Sequence, residues 1–187
     1  MTVKTLNPDD FMLHCKSLQR LVEESSFRPD TVVGIANGGV HVSKLVFPDV
    51  RHVSVSCRRP LSDTKDRSGA TMSFIRSLPL WMRNLLRISE SLIFGILKPA
   101  RLKPSVNFDP AQFNDSKYIL VVDDAVDSGV TLSAVLSALR QLPVAPAVKS
   151  AVITTTTPNP AVRPDFSIYS NRTLIRFPWS NDYRPAK

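Results

Sequence analysis

Cysteine, histidine, acidic residues and long apolar runs are all scarce in this chain of 187 residues. Each scarcity removes a class of protein. The two cysteines, Cys15 and Cys57, form no motif, so neither a disulfide scaffold nor a cysteine-based metal or redox site is expected. His14, His41 and His52 form no cluster with them and are read as structural or solvated, which excludes the usual transition-metal ligand sets. No apolar stretch is long enough to span a bilayer. Asp9, Asp10 and His14 interrupt the N-terminal segment, so no secretory signal is expected and a cytoplasmic location is. No internal repeat or low-complexity tract is present. Glycine is sparse too, six against fifteen prolines. The prolines gather near Pro99–Pro110, Pro143–Pro146 and Pro158–Pro164, which marks those stretches as connections between elements.

What remains is an ordinary globular composition, 43% hydrophobic and 21% charged, at a length that suits one domain with an added subdomain. The net charge of +8 is unevenly placed. Between Arg58 and Lys103 ten Lys/Arg face three acids, so this stretch carries +7 of the excess. A polyanionic ligand or surface is the natural partner for such a segment.

Asn7-Pro8-Asp9-Asp10 reads as a helix start: Asn7 can cap free amides, Pro8 suits the first helical position, and acids suit the positive end of the dipole. Phe11, Leu18, Leu21 and Val22 then recur at helical spacing to about Ser25. Thr31–Ala36 is a β-branched run ended by Asn37-Gly38-Gly39, a buried strand entering a glycine turn. A helix over Val40–Phe47 and an alternating strand over Val50–Cys57 follow. Ser73–Leu97 is helical in character, with Trp81, Leu85, Ile88 and Leu92 on one possible face. Tyr118–Val122 is a third strand, Gly129–Leu142 an amphipathic helix stopped by Pro143, and Val148–Thr154 a fourth strand. Short late strands are expected at Phe166–Tyr169 and Leu174–Phe177. Strands alternating with helices imply an α/β fold with a mostly parallel central sheet flanked by helices.

The chemistry concentrates in Val121–Leu132, VVDDAVDSGVTL. An apolar strand carries two acids at its carboxyl end, and a small-residue turn opens the next helix. In parallel α/β sheets that end of a strand is where ligands bind. Backbone amides of the turn Asp127–Thr131, with the Ser128 and Thr131 hydroxyls, would face an anion at a helix N-terminus. Asp123 and Asp124 beside it can accept hydrogen bonds from sugar hydroxyls. An isolated acid pair would more often only solvate a strand end, with Asp127 capping the helix. Acids beside a phosphate nest make sense for a ribose phosphate.

This segment resembles the phosphoribosylpyrophosphate-binding signature of type I phosphoribosyltransferases. Pro29–Val40 is similar to that family's first strand and pyrophosphate loop, and Pro164–Trp179 to the closing segment of the xanthine/hypoxanthine/guanine (6-oxopurine) members. The resemblance implies the type I phosphoribosyltransferase fold with a long flap or hood insertion: a single domain over 1–187, with 58–117 as the basic insertion. It implies that Asp123 and Asp124 hold the ribose hydroxyls, directly or through Mg²⁺ and water. Ala125, Val126, Asp127, Ser128, Gly129, Val130 and Thr131 would wrap the 5′-phosphate, and Ala36, Asn37, Gly38 and Gly39 would present amides to the pyrophosphate. Asp127 matches the acid that 6-oxopurine enzymes keep near the base for proton transfer. Thr157, Leu174 and Ile175 fall where the base pocket is expected.

The implied activity is transfer of the phosphoribosyl group from 5-phosphoribosyl-1-pyrophosphate to a nitrogenous, purine-like base, as in purine salvage, with Mg²⁺ as cofactor and a homodimer as the expected assembly. The chain departs from the family in two places. Asn37 stands where the loop usually has Arg or Lys, and Thr157 where a Lys reads the exocyclic oxygen. These departures keep open a different class of function. That alternative is a non-catalytic sensor of phosphoribosyl pyrophosphate or nucleotides that binds RNA or another nucleic acid, a membrane, or a protein through the basic insertion.

Overall fold

The computed structural model describes residues 2–58, 104–170, 173–180 and 183. The predicted helix Ser73–Leu97 and most of the basic stretch lie outside the described residues. The elements run β1 Thr2–Thr5, α1 Pro8–Glu24, β2 Thr31–Ile35, α2 Gly38–Val46, β3 Arg51–Arg58 and β4 Ser105–Asn107. After a 3-10 turn at Pro110–Phe113 come β5 Tyr118–Val126, α3 Val130–Arg140, β6 Ala147–Thr155, β7 Phe166–Tyr169 and β8 Thr173–Arg176.

Helix α1 starts as its sequence requires. The Asn7 side chain accepts from the Asp10 backbone N–H at 2.7 Å, Pro8 occupies the first turn, and Asp9 and Asp10 sit at the positive end of the dipole. The buried stripe differs from the predicted one: Phe11, Cys15, Leu18 and Val22 face inward, while Leu21 is 38% exposed. An i, i+4, i+7, i+11 stripe points one way on a 3.6-residue helix, and Leu21 lies off it. Burial pushes the Cys15 thiol up to about 12, which makes it an inert core residue.

Six strands form one sheet in the order β4-β3-β2-β5-β6-β7. The pairs β2–β3, β2–β5, β5–β6 and β6–β7 are parallel, and β4 closes one edge antiparallel to β3. Strands β2 and β5 are buried on both faces, so they read as continuous apolar runs and not as alternations. Val32, Leu120, Val122 and Ile153 pack on the side covered by α1 and α2. Val33, Ile119, Val121 and Val152 pack on the side covered by Leu132, Val135, Leu136 and Leu139 of α3.

Within the segment expected to be an insertion, β4 and the fully buried Phe113 belong to this sheet and its core. A separate two-stranded sheet pairs β1 with β8 in parallel. Strand β1 escaped the sequence reading because TVKT has no apolar run and pairs with residues about 170 positions away. None of the described helices is long and apolar enough to cross a membrane.

The chain proceeds from β2 outward to β3, then returns to place β5 on the other side of β2. Strand order therefore reverses between β2 and β5, and the crevice at their carboxyl ends is where an open parallel sheet accepts ligands.

Candidate active site

Strand β5 continues four residues past the predicted end at Val122 and carries Asp123, Asp124, Ala125 and Val126 in its ladder. Asp123 pairs with Val152, Ala125 with Thr154 and Val126 with Thr155. The two carboxylates thus project from a fixed strand, not from a loop. Loop residues 36–39 leave β2 with Ala36 and Asn37 exposed, and Gly38 and Gly39 form the first turn of α2.

These two segments touch. A Cβ on Gly38 would stand 2.0 Å from Asp124 Oδ2, and one on Gly39 would stand 2.4 Å from the Val122 carbonyl oxygen and 2.9 Å from Asp123 Cα. Only glycine lets the start of α2 lie this close to the acid pair. The obstacle at Gly39 is backbone, which cannot swing aside. Gly39→Ala is therefore expected to cost about 1–3 kcal/mol, the usual range for overpacking, measured by urea denaturation. An unchanged midpoint would mean that the two segments are not in this contact.

The turn after β5 brings the third part. Gly129 has φ 74°, in the left-handed region that favours glycine, and immediately precedes α3. A Cβ there would meet Ala161 N, Val162 N and Val162 O, each at 2.9 Å, and the Ala161 N–H donates to Ser128 O at 2.8 Å. The proline-bounded loop after β6 thus braces the turn. Asp127 does not cap α3, whose N-cap receives no side-chain bond. Its Oδ1 instead accepts the Thr156 hydroxyl at 2.5 Å. Val130 and Thr131 open α3, so the positive end of its helix dipole follows directly on the Ser128-Gly129 turn.

The acid pair is electrostatically loaded. Burial raises Asp123 well above the usual carboxylate range, with the adjacent negative charge of Asp124 as the second cause. Burial also raises Asp124, against donations from Asp123 and from the Trp179 indole, which pull it down. Both residues are half-buried. Such a pair gains from sugar hydroxyls, or from a cation, that replace the lost water. Among the described residues no three or more His, Cys, Asp or Glu side chains gather to cage an ion. Asp123 and Asp124 supply at most a pair of hard oxygen donors, which suits a cation that keeps water and ligand oxygens in its shell.

Trp179 is a site residue that the sequence reading placed only within a resembling tail. Its Nε1 donates to Asp124 Oδ2 at 3.3 Å. The ring stacks on Phe177 at 4.8 Å and on His41 at 4.7 Å, with Phe11 edge-on at 4.9 Å. Trp179→Phe keeps a ring in this stack and removes the donor. The Asp124 carboxyl is then expected to titrate higher than in the wild type, followed by carbon NMR of the side-chain carboxyl. A titration that does not move would show that the indole N–H is not a partner.

Of the residues expected around a base, Thr157 lies just past β6 and is half-buried. Leu174 and Ile175 are buried in β8, 6% and 5% exposed, with Ile175 packed in the cluster of Phe11 and Phe177. Thr155 and Thr156 belong to the run Thr154–Thr157, which in sequence offers hydroxyls but no cation, and both are buried at the end of β6. Thr155 Oγ1 has no hydrogen-bond partner.

The family described as phosphoribosyl transferase domain matches residues 9–184. No curated protein matches the sequence. Among solved structures, the chain is similar to a purine phosphoribosyltransferase from Pyrococcus horikoshii, with 18% identity, a TM-score of 0.62 and coverage of 100% of this chain and 98% of that one. A xanthine-guanine-hypoxanthine phosphoribosyltransferase from Helicobacter pylori is 19% identical, with a TM-score of 0.65 and coverage of 95% and 93%. A hypothetical protein from Neisseria gonorrhoeae with bound ppGpp is 17% identical, with a TM-score of 0.63 and coverage of 95% and 89%. At these identities the likeness is one of fold.

Proposed function

Because the chain belongs to the phosphoribosyl transferase domain family, a family of phosphoribosyl-transferring enzymes, we propose that it transfers the phosphoribosyl group of 5-phosphoribosyl-1-pyrophosphate to the nitrogen of a purine-like base, with Mg²⁺. The observation that carries this reading is the meeting of three parts at one crevice. They are the Gly38-Gly39 turn, the Asp123-Asp124 pair it touches, and the Ser128-Gly129 turn that opens α3. Their order, from the end of β2 through the end of β5 to the turn before α3, suits pyrophosphate, ribose and 5′-phosphate in turn.

In this reading the amides of the first turn of α2 receive the pyrophosphate, and the acid pair orients the ribose hydroxyls. The amides before and at the start of α3, with the Ser128 and Thr131 hydroxyls, receive the 5′-phosphate. A base nitrogen attacks C1 of the ribose, the C1–N bond forms as the C1–O bond to pyrophosphate breaks, and Asp127 accepts the proton that the base gives up. Asp123 and Asp124 would hold Mg²⁺ as oxygen donors, and the ion would supply neutralising charge for the pyrophosphate. The protein's share is positioning, electrostatic complementarity and exclusion of water.

A second reading, a ribose-phosphate sensor without turnover, draws support from Asn37, which puts no cation in the exposed loop before the glycines. Thermal shift separates ligand classes directly. The panel holds nucleoside monophosphates, ppGpp, free bases and ribose 5-phosphate, with and without Mg²⁺ and phosphoribosyl pyrophosphate. Purine nucleoside monophosphates at 100 times their Kd are expected to stabilise by about 2.7 kcal/mol. Stabilisation by ppGpp alone would favour the sensor, and no shift with any phosphoribosyl compound would contradict both readings.

A further inference from the structure

We infer that Thr156 is the positioning residue for Asp127, presenting one carboxylate oxygen to the acceptor base by holding the other; this rests on the transferase reading above. Asp127 lies just past the end of β5 and is exposed, so nothing in its own element fixes its side chain. Thr156 lies just past the end of β6 and is 3% exposed. The β5–β6 pairing persists one step beyond β6, since the Thr156 N–H donates to the carbonyl oxygen of Val126, the last residue of β5, at 2.9 Å. That bond pins the Thr156 backbone beside the Val126–Asp127 peptide.

The hydroxyl of Thr156 has a single proton and two acceptors within reach, Asp127 Oδ1 at 2.5 Å and Val126 O at 3.4 Å. Val126 O already accepts the Thr156 N–H, and the carboxylate is both nearer and charged. The proton therefore goes to Oδ1, because hydrogen bonds to ionised acceptors are the shorter and stronger ones. A threonine rotor is stiff at χ1 and this one is buried, so the fixed partner is Thr156 and the oriented one is Asp127. Oδ1 is committed, and Oδ2 is the oxygen offered to a substrate N–H. The bond links the carboxyl ends of the neighbouring strands β5 and β6 through side chains, which the sequence separates by 29 positions.

A positioning group acts on the reacting geometry and not on the distant phosphate contacts. Removing it costs rate, since a misplacement of about 1 Å can cost about 100-fold. Thr156→Val keeps the branched shape and loses the hydroxyl; Thr156→Ser keeps the hydroxyl. For T156V, kcat with the best base is expected to fall about 10- to 100-fold, with KM for phosphoribosyl pyrophosphate within about twofold of wild type. T156S is expected to restore kcat to within a few fold of the wild type.

Thermal melting of both variants shows that they are folded at the assay temperature; if T156V is not, a wild-type-like rate in Thr156→Ala overturns the inference and a T156A loss rescued by T156S supports it. Equal kcat in T156V and wild type overturns it. So does a T156V defect that lies in KM for phosphoribosyl pyrophosphate, because the hydroxyl would then serve the strand end and phosphate turn. A wild-type protein that makes no nucleotide from any base overturns the transferase reading itself, and the role of Thr156 with it.

Discussion

Asp127→Asn is expected to lower turnover by about 10²- to 10⁴-fold, the range for losing a positioned general acid or base. Ribose 5-phosphate should bind the variant about as well as it binds the wild type. Asparagine has nearly the same shape, and its Oδ1 can still accept the Thr156 hydroxyl that the structure places at 2.5 Å from this position. The turn between β5 and α3 should therefore keep its backbone, which is braced independently by the Ala161 N–H to Ser128 O bond. What the amide cannot do is take a proton. The measurement is kcat for nucleotide formation beside a calorimetric Kd for ribose 5-phosphate. Retention of more than a tenth of wild-type kcat would mean that the base gives its proton to another group.

Asp123→Asn is expected to weaken binding of ribose phosphates and to raise the stability of the empty protein. A sugar hydroxyl bonded to a carboxylate is worth about 1.5–3 kcal/mol, so affinity should fall by about 10- to 100-fold. The stability change has the opposite sign. Asp123 is held well above the ordinary carboxylate range by burial and by Asp124. Between the unfolded value, about 3.9, and this raised value the native state binds more protons than the unfolded one. Native stability therefore falls as pH rises through that window, and the loss is complete above it.

An amide at Asp123 has no charge to desolvate, so the variant escapes that loss. Replacing a strained functional group commonly gains about 0.5–2 kcal/mol, a shift of about 2–4 °C per kcal/mol at this size. The difference in melting temperature between variant and wild type should be close to zero below the ordinary carboxylate value, about 3.9, and grow as pH rises from there through the raised value of Asp123. A difference that does not depend on pH would show that the acid pair carries no raised carboxyl.

The same acid pair shows how far the sequence could be read. Other elements of the fold were legible because they obey local rules. Thr31–Ile35 and Phe166–Tyr169 are short runs of β-formers, and the start of α1 has Asn7, Pro8 and two acids in the right order. The far end of β5 was not legible. Two aspartates in succession disfavour a strand, and only the ladder to Val152, Thr154 and Thr155 holds them in one, a tertiary override of propensity.

The partners of the two key carboxylates were hidden for a related reason. Trp179 reaches Asp124 across 55 positions and Thr156 reaches Asp127 across 29, and no local pattern encodes either contact. Thr157 is expected at the base pocket, and the inward hydroxyl that meets Asp127 belongs to its neighbour Thr156, whose backbone N–H bonds Val126 O. Gly38 and Gly39 were legible as a turn. That they touch the acid pair became visible only once β2 and β5 were neighbours in the sheet.

The central claim is that the crevice at the ends of β2 and β5 moves a phosphoribosyl group and does not only bind one. Pyrophosphate release from phosphoribosyl pyrophosphate, measured with Mg²⁺ across a panel of purine-like and other nitrogenous bases, tests it most directly. At least one base should drive multiple-turnover release with one nucleoside monophosphate formed per pyrophosphate, and Asp127→Asn should remove most of that rate. Tight binding of phosphoribosyl pyrophosphate with no base-dependent release from any member of the panel would contradict the claim.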